Sequence, residues 1–131
     1  MSTLDDLIRD RLSKDGQVLN LKAKFLREVG AQELAQKESL KEVRAMDLSQ
    51  NSIGDEGVKA IAESSVFSNL RTLNLASNHI TDTGARYLAT SKKLNSLRSL
   101  QLVVNDISED GEKLLRNSTD LVSLSSLKFR V

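Results

Sequence analysis

The chain is 131 residues long, which suits one domain, and its 19 basic and 18 acidic residues leave a net charge of +1, so whole-molecule charge does not argue for nucleic acid or an anionic membrane as partner. There is no cysteine, which excludes a disulfide, a thiolate nucleophile and a cysteine metal site. No long apolar run opens the sequence, so neither a signal peptide nor a membrane span is read there, and a cytoplasmic protein is expected.

Residues 1–15 alternate apolar and charged positions. Ser2 or Thr3 can cap a short helix bearing Leu4, Leu7, Ile8 and Leu12. Leu7 stands 27 residues before Leu34, so this helix is expected to take the place of a truncated repeat's helix, with residues 1–15 as an N-terminal cap.

From Gly16 onward one pattern recurs without insertion or deletion. Units open at Gly16, Val43, Leu70, Leu97 and Leu124, each 27 residues after the last. Counting each opener as zero, positions 3 and 5 hold Leu19 and Leu21, Met46 and Leu48, Leu73 and Leu75, Leu100 and Leu102, then Leu127 and Phe129. Alternation over positions 2 to 6 is the period of a strand with one buried face. Positions 12 to 22 space apolar residues three and four apart, as in Val58, Ile61 and Ala62, which is the period of a helix. Thr81 and Ser108, with Gly54 in the second unit, mark helix starts as N-caps. Asp55, Glu56, Asp82, Glu109 and Asp110 follow in the first turns, where carboxylates suit the helix dipole. One unit cannot bury its apolar edge alone, so the units must stack.

Two further columns carry structural meaning. Position 8 holds Asn51, Asn78 and Asn105, which can satisfy turn backbone groups that have left the sheet and form a hydrogen-bonded ladder. The first unit has Lys24 there, which predicts a looser turn. Position 14 is glycine each time (Gly30, Gly57, Gly84, Gly111). Glycine inside a helix costs about 1 kcal/mol against alanine, so its recurrence points to a close helix-to-strand approach with no room for a Cβ.

The motif L-x-x-L-x-L-x-x-N-x-I-x-x-x-G-x-x-x-L resembles the leucine-rich repeat in its long, ribonuclease-inhibitor-like form, over residues 16–131. The resemblance implies an α/β right-handed solenoid, a horseshoe segment with a parallel β-sheet on its concave face and α-helices on its convex face. It would comprise four 27-residue units starting at 16, 43, 70 and 97, with a terminal strand over 124–131. A regular repeat scaffold with no reactive constellation points to a non-enzymatic protein–protein interaction module; the resemblance itself carries a scaffold and not a chemistry. The Ran GTPase-activating protein and tropomodulins are of this form, so a regulator of a small GTPase or a binder of a cytoskeletal partner is the next reading.

An enzyme or enzyme accessory would have to use the acidic turns and His79, the single histidine, which is expected to face solvent in its turn. Gly54 and Gly57 lack the lysine–serine/threonine ending of a phosphate loop, and no metal or other cofactor is expected. The surfaces that could meet a protein partner are three. Arg44, Arg71 and Arg98 form a column at position 1, either a solvated rim or a ridge for an acidic partner. Val103 and Val104, beside Ala76 and Val131, stand where the second unit has Ser49 and Gln50, and suggest contact or packing under a C-terminal cap. The last strand offers an open edge, a route to self-association. Lys128 and Arg130 would point outward from it and defend it, unless a partner or second copy covers it or the chain is truncated. Nucleic acid is not expected as a ligand, because the outward sheet positions carry no stacking aromatics. Phe25 stands where other units have Ser52, His79 and Asp106, and is expected to fold onto the N-terminal cap.

Overall fold

The computed structural model describes residues 3–131. Five three-residue strands, β1 (Val18–Asn20), β2 (Ala45–Asp47), β3 (Thr72–Asn74), β4 (Ser99–Gln101) and β5 (Ser126–Lys128), form one parallel sheet in sequence order. Leu19, Met46, Leu73, Leu100 and Leu127 are partners in a single row. The 27-residue period is therefore the register of the sheet. The central residue of each of the first four strands is buried, at 2% exposure or less.

Helices α1 (Leu4–Arg11), α2 (Arg27–Leu34), α3 (Gly54–Glu63), α4 (Asp82–Ala89) and α5 (Glu109–Arg116) alternate with the strands. Helices α2 to α5 stack side by side in chain order. Between the two layers the leucine columns, with Phe67, make one continuous core. This is an α/β solenoid. In the last unit Leu124, Leu127 and Phe129 are only half-buried.

Helix α1 follows a different rule. Thr3 caps it with a full capping box: its hydroxyl accepts from Asp6 N and its own N–H donates to the Asp6 carboxylate, both at 3.1 Å. Its buried residues are Leu4 and Ile8, while Leu7 is half-buried. Leu12 then bridges antiparallel to Leu19, so α1 lies against β1 and does not stack along α2 as the later helices stack on one another. The alignment of Leu7 with Leu34 thus finds a helix but not its packing.

The asparagine ladder forms, displaced by one unit. Asn51 Oδ1 accepts from Lys24 N at 2.9 Å and Leu26 N at 3.2 Å. Asn78 serves Asn51 N and Ile53 N, and Asn105 serves Asn78 N and Ile80 N. Each asparagine holds the turn of the unit before it. The expected loosening at Lys24 does not follow, because Asn51 already supplies that turn's acceptor.

The glycine column has a different cause from the expected approach of helix to strand. A Cβ on Gly84 would lie 2.5 Å from Asp55 Oδ1 and 2.6 Å from Ile80 Cγ2; on Gly111 the same roles fall to Asp82 and Ile107. At Gly57 the obstacles are Ile53 Cγ2 and Ala31 Cβ. The crowding comes from the preceding helix and from the isoleucine that turns the chain.

The helix starts also differ from the sequence reading. Asp55 Oδ1 accepts from Thr81 N at 2.8 Å and Gly84 N at 3.0 Å, and its Oδ2 accepts from Thr81 Oγ1 at 2.5 Å. This carboxylate therefore binds the start of the next helix. Asp82 does the same for Ser108, accepting from its backbone N at 2.8 Å and from its hydroxyl. Thr81 is an extended N-cap whose hydroxyl accepts from Thr83 N at 3.3 Å, whereas Ser108 gives its hydroxyl to Asp82 and makes no cap bond. Gly54 is not a side-chain-free version of these caps. It lies at φ +67, and Arg27 at its position in the first unit lies at φ +59, so the first two units enter their helices through left-handed residues.

The hydrogen bond from the Ser108 hydroxyl, followed by that from its backbone, holds the Asp82 carboxyl below the usual carboxylate range. A carboxyl depressed in the folded state stabilises the fold above its ordinary pKa of about 4, and that contribution is lost as pH falls through the depressed value. Asp82→Asn is therefore expected to flatten part of the acid limb of a melting-temperature profile while leaving neutral-pH behaviour two-state. An acid limb identical to that of the parent protein would count against the bond.

Candidate protein-interaction surface

The parallel register brings Arg44, Arg71 and Arg98 together, one per strand, at the margin where the strands begin. Their backbones extend the sheet ladder: Arg71 N donates to Arg44 O at 2.7 Å and Arg98 N to Arg71 O at 2.8 Å. Arg44 and Arg98 are exposed and Arg71 is half-buried. Among the described residues none of the three guanidinium groups has a carboxylate within the 4.0 Å of an ion pair. Adjacent strands lie about 4.8 Å apart, so three positive charges stand in a short row without neutralisation. Arg44 also acts at a distance on Asp15, whose carboxyl is held below its usual range by the Ser13 hydroxyl, by Gln17 N and more weakly by Arg44.

The other predicted site residues lie on or beyond the strands. Ala76 and Val103 are half-buried, so the expected pair of exposed valines reduces to Val104 at 68% exposure, with Val131 fully exposed at the end of the chain. The Val103 carbonyl accepts from Ser77 N at 3.0 Å, which ties its backbone to the neighbouring turn. Ser49 is buried: Asp47 Oδ1 accepts from its N at 2.9 Å and its Oγ at 2.6 Å. Lys128 is exposed on β5, but Arg130 does not defend that edge. β5 ends at Lys128, and the Arg130 guanidinium turns back to pair with Glu112, a residue of α5 only 8% exposed. Arg116 reaches the other oxygen of Glu112 at 3.6 Å and lies 5.4 Å from the centre of the Phe129 ring. A nearly buried carboxylate thus draws in both local arginines.

A cleft of about 400 Å³ opens where the chain leaves the middle strands, lined by Gln50, Ser52, Ser77, His79, Val104 and Asp106 among others. Gln50, Ser52, Ser77, His79 and Val104 all have left-handed backbones, with φ between 52° and 59°. For the β-branched Val104 this is a strained conformation. His79 is exposed in its turn, as expected. The sequence reading did not single out Gln50, Ser52 or Ser77. Their signal was the alternation of turn positions 7 and 9 about the asparagine column. The acidic-turn reading is also narrowed, since Asp55 and Asp82 already accept two or three protein hydrogen bonds each.

A family model described as Leucine Rich repeat matches residues 43–62 and 68–89, the second and third units. These two units are leucine-rich repeats, and the chain has the leucine-rich-repeat fold. Solved structures extend that likeness over the whole solenoid. Actin-Binding Site 2 of leiomodin-1 superposes with a TM-score of 0.71 at 19% identity, covering 100% of this chain and 82% of that one. The tropomodulin C-terminal domain of Caenorhabditis elegans superposes with a TM-score of 0.58 at 16% identity, covering 77% of this chain and 62% of that one. At these identities the likeness concerns the fold. No curated protein sequence gives a significant match. No helix of the chain, among the described residues, is long and apolar enough to cross a membrane.

Proposed function

We propose that this chain is a non-enzymatic module that binds another protein through the strand-start margin carrying Arg44, Arg71 and Arg98. The observation that carries this reading is the row of three guanidinium groups with no carboxylate partner, held on a rigid parallel ladder. Such a row attracts a partner that presents carboxylates, and arginine is favoured where planar, two-pronged pairing is needed. The finer reading is a cytoskeletal partner of the actin type. It is supported by the superposition of the whole chain on a domain that carries an actin-binding site.

The test is co-sedimentation with filamentous actin, with fluorescence titration of monomeric actin alongside. The parent protein is expected to bind at least one form, and Arg71→Glu to weaken that binding by about tenfold or more, since truncating or reversing a central charge acts mainly on dissociation. Binding left intact by Arg71→Glu would move the interface away from the arginine row. Failure to bind either form would reject actin as the partner.

A further inference from the structure

We propose that the turn leaving the first strand is a second docking surface, and that it takes an acidic, apolar-studded segment of a protein partner. Phe25 is 84% exposed, the one exposed aromatic of the chain's four, where the sequence favoured burial against the N-terminal segment. It sits at φ +56, between Ala23 at φ +54 and Arg27 at φ +59. A left-handed residue recurs at this position as Ser52 and His79, both polar, while the fourth unit has Asp106 there without a left-handed backbone. A bulky residue held left-handed is strained, and here no burial of the ring compensates for the strain. Val29, one turn of α2 further on, is 71% exposed.

Around this apolar pair stand three cations. Lys22 and Arg27 are exposed and Lys24 is half-buried. None of them has a carboxylate within ion-pair distance among the described residues. The one acid in the stretch, Glu28, is approached by Gln32 Nε2 at 3.4 Å. Three unpaired cations flanking an exposed ring complement a segment that alternates carboxylates with apolar side chains. Burying the ring on binding removes apolar area from water, and the carboxylates displace no existing ion pair.

A membrane fits the surface less well. The polar side chains Glu28, Gln32 and Glu33 share α2 with Val29 and would lose water against lipid. Single-stranded nucleic acid would need more than one stacking ring. The surface stands apart from the arginine row, since it follows a strand where the arginines precede theirs.

Fluorescence anisotropy on the full chain decides it, with short labelled peptides that alternate Asp or Glu with Leu or Phe. Saturable binding is expected, weakened by salt, unchanged by Arg71→Glu, and reduced about tenfold or more by Phe25→Asn and by the pair Lys24→Glu with Arg27→Glu. Asparagine adopts the left-handed backbone readily, so Phe25→Asn should fold, and its thermal melt by circular dichroism checks this. The proposal is overturned if no peptide binds or if Phe25→Asn binds as the parent does. It is also overturned if peptides with Gln in place of the acids bind equally well. Tighter binding to phosphatidylserine vesicles or to single-stranded oligonucleotides than to any peptide would overturn it too.

Discussion

Asn78→Ala is expected to lower the free energy of unfolding by about 3 kcal/mol, several times the cost of an ordinary surface substitution. Asn78 has no solvent exposure. Its Oδ1 accepts from Asn51 N at 3.0 Å and Ile53 N at 3.2 Å, and its Nδ2 donates to Leu48 O at 3.0 Å and Ala76 O at 3.1 Å. The two carbonyls keep other donors, Asn51 Nδ2 on Leu48 O and Gln50 N on Ala76 O. The two amides do not keep an acceptor. Alanine therefore leaves two N–H groups unpaired, each at about 1–3 kcal/mol. Asn78→Asp should not rescue, because a carboxylate would face the Leu48 and Ala76 carbonyls that the amide now feeds. Asn105→Ala should cost less, since Asn105 is half-buried and water can replace it. Urea unfolding followed by circular dichroism measures all three. A loss for Asn78→Ala below about 1 kcal/mol, with unchanged urea dependence, would show that the turn is wetter than its burial implies.

How far the fold could be read from sequence depends on which contacts repeat. An in-register parallel sheet places residue i beside residue i+27, so Leu19, Met46, Leu73 and Leu100 are both a column of letters and a row of touching side chains. The asparagine column was legible for the same reason. A serine column was equally present and went unread: Ser64 Oγ donates to Ala35 O at 2.5 Å, Ser91 Oγ to Ala62 O at 2.6 Å, and Ser118 Oγ to Ala89 O. Each serine ties the carboxyl end of one helix to the next unit, where backbone carbonyls lack partners within their own helix.

What the sequence could not reveal are contacts that break the period. Arg130 leaves the outward alternation because the strand stops at Lys128 and a nearly buried Glu112 is within reach of a long side chain. Phe25 stays exposed because α1 packs on β1 through Leu4, Ile8 and the Leu12 bridge, and Phe25 is not part of that apolar contact. For the candidate surface, the arginine row was fully legible, whereas the distinction between half-buried Val103 and exposed Val104 depended on how a left-handed turn orients two adjacent residues.

Gly84→Ala tests the cross-unit helix cap, and its outcome should depend on Asp55. An added methyl in a helix normally contributes about 1 kcal/mol of stability. Here it would meet Asp55 Oδ1 at 2.5 Å and Ile80 Cγ2 at 2.6 Å. The carboxylate cannot swing aside freely, because Thr81 N, Thr81 Oγ1 and Gly84 N all bond to it. Gly84→Ala is therefore expected to destabilise by about 2 kcal/mol, the usual scale of overpacking in a region that resists movement. Asp55→Ala should also cost about 2 kcal/mol, since it strips the first turn of α4 of its acceptor for two amides and a hydroxyl. In the double variant the methyl enters space the carboxylate has left and meets only Ile80. The two losses should then sum to more than the double variant shows, with a coupling of about 1 kcal/mol or more in a thermodynamic cycle. Strict additivity would mean that Ile80 alone forbids the Cβ. In that case the glycine at this position would belong to the turn of its own unit, and the aspartate of the preceding helix would act as a cap without shaping the residue it caps.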